Sequence, residues 1–199
     1  VLGRLRHPRK PEKGLLPRLL ATLARDLPDS EDDLYRELYG RVEAILSARQ
    51  ALHDKAAREL EALGGELAAH LGQPLPEKEE LRQRLVPAFT ATPFWETARA
   101  RVRELARETE KLGREVRELL KACGRVPEEA RDKLGSLLLE LRPVAGRLEG
   151  LSGDLSFFAA TGEGTCAWFE VAPGRAGRGG EPVTRLCTAP LDVAGHLKT

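Results

Sequence analysis

One stretch of this chain carries a row of cations: Arg99, Arg101, Arg103, Arg107, Lys111, Arg114, Arg117 and Lys121. Guanidinium and ammonium groups spaced along a helix can neutralise successive phosphates of a nucleic acid, a contact that gives affinity without sequence preference. Arg99, Arg103, Arg107, Lys111 and Arg114 are the candidates for that role. Glu104, Glu108, Glu110, Glu115 and Glu118 are interleaved with them. Pairing across neighbouring turns therefore makes a solvated, self-balanced face the favoured reading of the two. Arg175 and Arg178, in the Gly-rich stretch 174–180, are two further candidates for a phosphate backbone, although exposed turns often carry Arg for solubility. Phe94-Trp95 could stack bases, but an apolar plug at a helix start is the better reading.

Other chemistry is scarce. Gly162-Glu163-Gly164-Thr165 and the 174–180 stretch both lack the Lys-Ser/Thr that completes a phosphate-binding loop. His7, His53, His70 and His196 are scattered, with no His or Glu partner at metal-ligand spacing. Cys123, Cys166 and Cys187 are odd in number and widely separated, so neither a disulfide framework nor a zinc site is indicated. Reduced thiols in a cytoplasmic protein are expected. No nucleophile–base set is legible, so no catalytic residue, metal or cofactor is expected within this segment.

The elements that must position the cations are long helices. Residues 1–13, with Pro8 and Pro11, read as a basic loop or linker. Leu15, Leu16, Leu19, Leu20 and Leu23 mark a short amphipathic helix over 14–27. Ser30 is a credible N-cap for a helix from about Glu31 to Leu71, about 60 Å long at the usual rise per residue, with Gly64-Gly65 as a weak point. A shorter helix is expected over 77–89. Ala98, Val102, Leu105, Thr109, Leu112, Val116, Leu119 and Cys123 alternate by four and three, as do Ala130 to Phe158 beyond Pro127. The few residues between these two helices predict an antiparallel pair, with Pro143 kinking or interrupting the second.

After these helices come two strand-like runs, Cys166 to Val171 and Val183 to Cys187. A lone hairpin is not stable in water, so the pair is expected to dock on a sheet or helix outside this chain. The predicted fold is mainly α: an elongated antiparallel helical bundle with coiled-coil-like seams, closed by that β-hairpin. The chain divides accordingly into three segments: 1–30, a basic linker and short helix; 31–160, the helical domain; and 161–199, the hairpin with its C-terminal return segment.

Composition agrees with solvated Leu/Ala helices, since charged residues are 32% and aromatics only 5% of the 199 residues. A net charge of +1 gives no global attraction to polyanions or membranes, although Arg4, Arg6, Arg9, Lys10, Lys13 and Arg18 make the start locally basic. No apolar run approaches a membrane span. The start at Val1 and the absence of Met lead to the expectation of a segment excised from a longer chain.

Trp168-Phe169-Glu170, followed by Leu186-Cys187-Thr188-Ala189-Pro190-Leu191-Asp192-Val193, resembles a segment of the XPD/DinG-type DNA helicases. In that family a helical insertion, the Arch domain, returns to the first motor domain through a Trp-x-Glu-like strand and an Ala-Pro-Leu-Asp-Val-like segment. Trp168, Glu170, Pro190, Leu191 and Asp192 carry the likeness here. Lys13-Gly14-Leu15-Leu16 is similar to the lead-in to the insertion in bacterial members. The specific likeness covers about a fifth of the chain; the order of its parts covers nearly all of it. No Walker A, DEAH box or four-cysteine cluster is present.

The resemblance implies an Arch-like accessory segment of a bacterial ATP-dependent 5′–3′ DNA helicase that gates or guides single-stranded DNA. ATP and Mg would serve the parent, and any iron–sulfur cluster would lie outside this segment. Single-stranded DNA and the rest of the motor would be the partners, with no membrane. The rival reading is a non-enzymatic coiled-coil module for interaction or oligomerisation.

Overall fold

A computed structural model describes residues 1–160, 165–174 and 182–190. Helices dominate: α1 (Leu2–Leu5), α2 (Leu15–Asp26), α3 (Asp32–His70), α4 (Pro87–Thr90), α5 (Pro93–Cys123) and α6 (Glu128–Ala160). Strands β1 (Leu81–Arg84), β2 (Thr165–Ala172) and β3 (Val183–Pro190) form one antiparallel sheet in the order β1-β2-β3. The chain's contacts group it into two units, each discontinuous in sequence: Val1–His53 with Arg107–Ser152, and Asp54–Ala106 with Gly153–Thr199. Helices α3, α5 and α6 supply residues to both.

In the first unit, α2 buries Leu15, Leu16, Leu19 and Leu23, the stripe its sequence predicts. Leu38, Val42 and Ile45 of α3, Val116 and Leu119 of α5, and Leu141, Val144 and Leu148 of α6 are at most 2% exposed, so each helix turns its apolar row inward. Four residues link α5 to α6, and α6 folds back so that Gly113 lies against Leu148 and Glu149. Ion pairs fasten the rim: Lys133 to Asp26 at 3.0 Å, Arg125 to Glu37 at 2.5 Å, and Arg117 to Glu149. Residues 1–13 are more ordered than a linker. They form α1 and a 3-10 turn at Pro11–Lys13, because Leu5 is an apolar anchor with no exposure at all. Ser30 lies inside a second 3-10 turn, Asp29–Glu31, and so does not cap α3; Asp32 and Asp33 occupy the first turn, where the helix dipole favours acids.

The second unit holds the sheet. The expected helix over 77–89 is replaced by β1 and the single turn α4. Along β1, Leu81 and Gln83 are half-buried while Arg82 and Arg84 are exposed, the alternation of a strand with one face covered, although Leu81 and Leu85 lie four apart in the sequence, as in a helix. Val86 is extended (φ −91°, ψ 159°), as a residue before proline must be, so α4 starts afresh at Pro87.

β1 pairs with β2 in the register Leu81 to Val171 through Arg84 to Trp168, and β2 pairs with β3 from Thr165–Pro190 to Ala172–Val183. The hairpin therefore finds its third strand within the chain, contrary to the expectation of a missing sheet. One sheet face carries Phe169 and Val171 into a core with Leu63, Leu67, Phe89, Trp95, Ala98, Val102 and Phe158. Phe169 meets Phe158, Phe94 and Trp95 edge-on at centroid distances of 5.3, 5.9 and 6.1 Å, geometry favoured by the ring quadrupoles.

Helix boundaries have local causes. Thr92 Oγ1 accepts the Trp95 N–H at 3.3 Å and caps α5. Gly72 (φ 64°) ends α3 in the left-handed conformation, and the Gln73 N–H closes back on the Ala68 carbonyl at 2.9 Å. Gly64-Gly65 does not break α3, and Pro143 does not interrupt α6. Pro143 is exposed, so the lost hydrogen bond falls on the solvent side, where water can satisfy the freed carbonyl.

Candidate nucleic-acid interface

The α5 cations divide into two sets. Arg101 is committed to Glu59 at 3.5 Å and Glu66 at 2.9 Å, Arg117 to Glu149, and Lys121 to Glu118 at 2.7 Å. Arg103, Lys111 and Arg114 are exposed and enter no ion pair among the described residues. Arg107 is exposed as well. Arg99 differs, being half-buried with a buried Nε that finds no hydrogen-bond partner among the described residues. Carboxylates of α3 and α6, with Glu118 of α5 itself, thus neutralise part of the stripe and leave three cations facing water.

Arg175, Arg178, Leu191 and Asp192 lie outside the described residues. Pro190 ends β3 opposite Thr165. Phe94-Trp95 is an apolar plug: Trp95 is only 3% exposed, and Phe94 stacks on His70 at 5.4 Å. No base can reach the Trp95 ring.

Trp168 and Glu170 lie on the sheet face opposite Phe169. Glu170, though on that face, is only 7% exposed. Its carboxylate accepts from Arg185 across the β2–β3 pair and faces Arg82 Nε at 3.2 Å on β1. Those cations, Arg185 foremost, together with the Trp168 side chain hold the Glu170 carboxyl below its ordinary range. Glu80 approaches both arginines, at 2.7 Å from Arg82 and 3.7 Å from Arg185. The likeness-bearing Trp and Glu thus serve a three-strand ionic clasp. Arg82 is hidden from sequence reading as a partner, because Leu81 and Leu85 lie four apart and the stretch 77–89 reads as a helix; Arg185 sits on an expected strand, but its place opposite Glu170 is set by the register of β2 with β3.

The cysteines are all free. Burial pushes the Cys123 thiol up to about 11, and desolvation followed by Glu170 raises that of Cys187, so both resist becoming thiolates. No group of three metal-ligating side chains occurs among the described residues. A cavity of about 750 Å³ opens along 73–82, but Glu77, Glu79 and Glu80 line it and would repel a phosphate backbone. No helix among the described residues is long and apolar enough to cross a membrane. Comparisons with protein-family models, curated proteins and solved structures find no match to this chain.

Proposed function

We propose that this chain is a non-catalytic helical accessory segment of a DNA-translocating ATPase, and that it guides single-stranded DNA by its phosphates. The observation that carries the reading is the exposed, unpaired state of Arg103, Lys111 and Arg114 on a helix where Arg101, Arg117 and Lys121 are tied to carboxylates. Free cations exposed on a helix offer contacts that cost no prior ion pair and favour no sequence. The XPD/DinG-type likeness of Trp168-Phe169-Glu170 and of the stretch ending β3 supports a helicase setting. There an Arch-like segment would gate or guide the strand while ATP and Mg act elsewhere.

Fluorescence anisotropy with a labelled oligo-dT across a salt series tests the reading. Replacing Arg103, Lys111 and Arg114 together with Gln should lower the salt-dependence slope by about 2, since each single-strand phosphate contact contributes about 0.7. Binding unchanged by the triple substitution would rule out the α5 interface. The helicase setting is tested separately. The reading frame that encodes this chain should carry a DEAH box before Val1, and the chain alone should not hydrolyse ATP. A reading frame without that box removes the setting while leaving the DNA contact to stand on its own measurement.

A further inference from the structure

Arg49 is a charged side chain in the wrong place for an ordinary surface arginine. It lies on α3 at 6% exposure, and its guanidinium has only neutral partners. Its Nε donates to the Leu2 carbonyl at 3.2 Å and its Nη1 to Gln50 Oε1 at 2.7 Å. No carboxylate pairs with it among the described residues. A buried charge without a counter-charge opposes folding, and a protein normally supplies an acid beside it.

Beside Arg49 lies more positive potential. A cavity of about 360 Å³ is bounded by Arg49, Gln50, Arg6, His7 and His53, with Pro8 and Pro11 as its apolar wall. No Asp or Glu is among the described residues that line it. His53 stands one turn beyond Arg49 on α3, so both project to the same side of that helix. His7 is oriented by its own loop: its Nδ1 accepts the backbone N–H groups of Arg9 at 3.2 Å and Lys10 at 3.0 Å. With Nδ1 an acceptor, the ring hydrogen resides on Nε2, which makes His7 a donor.

Two guanidinium groups and imidazole donors around a cavity of this size match a tetrahedral oxyanion with several acceptor oxygens. The volume exceeds that of one such ion and falls within the range of small-ligand sites. We infer that this cavity binds a phosphate group, as inorganic phosphate or as a phosphomonoester, and that the bound anion supplies the counter-charge Arg49 lacks. The inference stands apart from the α5 interface and from the helicase setting.

The test uses the whole 199-residue chain, with inorganic phosphate as the probe and chloride at matched ionic strength as the control. Phosphate should raise the unfolding temperature along a saturating curve, as mass action requires, and chloride should not. Arg6 and His53 are exposed, so Arg6→Ala and His53→Ala should keep the fold and weaken phosphate binding roughly ten-fold each by calorimetry. Arg49→Met should abolish the phosphate effect with an unchanged circular dichroism spectrum. A pair of dithymidine probes identifies the source. Tighter binding of the 5′-phosphorylated form than of the 5′-hydroxyl form, competed by inorganic phosphate, assigns an ester; binding of the inorganic ion alone assigns free phosphate. A phosphate effect no larger than that of chloride, or one unchanged in both Arg6→Ala and His53→Ala, overturns the site.

Discussion

Two adjacent glycines on α3 face different surroundings. A Cβ at Gly64 would press into Thr184 Oγ1 on β3, with Val171 Cγ1 3.6 Å away, whereas one at Gly65 meets nothing within 4 Å. Thr184 is β-branched and buried, so its hydroxyl has little room to turn away. Gly65→Ala is expected to stabilise by about 0.5–1 kcal/mol through helix propensity alone. Gly64→Ala should destabilise by about 1–3 kcal/mol, because overpacking outweighs that gain. Urea unfolding of the two variants reads the opposite signs directly, and equal signs would deny the close approach of α3 to the sheet. Asp26 gives a pH signature. Hydrogen bonds from Arg25 and then Lys133 lower its carboxyl from 3.8 to about 2. A depressed carboxyl contributes stability that is complete above its unfolded value and lost as pH falls through the folded one. The chain should therefore lose stability between about pH 4 and pH 2. Asp26→Asn should flatten that part of the profile of unfolding midpoint against pH. Neither effect is legible from sequence: Gly64 and Gly65 look alike there, and the Asp26–Lys133 pair depends on how α2 and α6 fold.

The long helices are the legible elements, and for a physical reason. Apolar steps of three and four over thirty or more residues leave few alternatives, which is why α3, α5 and α6 match their expected spans closely. Short elements depend on what they pack against. β1 has only Leu81 to Arg84, and its neighbourhood of Glu and Leu favours helix until β2 offers an edge. Local propensity yields to strand pairing there. Pro143 makes the converse point, since α6 continues through it despite the missing N–H. Pro143→Ala should stabilise the chain by about 1–3 kcal/mol, restoring one hydrogen bond and relieving the ring clash. No gain in the urea midpoint would mean that α6 is already relaxed around the ring. Within the sheet unit, Phe169 is fully buried between three other rings, so Phe169→Ala should cost about 3–5 kcal/mol. Loss of amide-exchange protection in β2 and β3 is the companion readout. Of the candidate interface, the stripe on α5 can be named from sequence. Which of its members remain unpaired cannot, because Glu59, Glu66 and Glu149 come from other helices.

At the scale of the whole chain, a net charge of +1 leaves no long-range field to draw in a polyanion, so any binding must come from local groups and be steeply salt-dependent. The sheet completes itself from Leu81–Arg84, so the 199-residue chain should fold without a partner. Nuclear Overhauser contacts between Gln83 and Phe169 in the isolated chain would show this; a helical chain lacking them would restore the need for an outside strand. The pairing of Leu81 with Val171 also carries a kinetic consequence. Everything from α4 to the end of α6 lies between those partners, so β1 and β2 cannot meet by chance closure of an open coil without a large entropic loss. Helices form in about a microsecond, and the reversal between α5 and α6 shortens the path that joins the two strands. Sheet assembly is therefore expected to be the late, rate-limiting step of refolding. Substitutions in the α5–α6 turn would then slow the appearance of β structure without altering the β residues themselves.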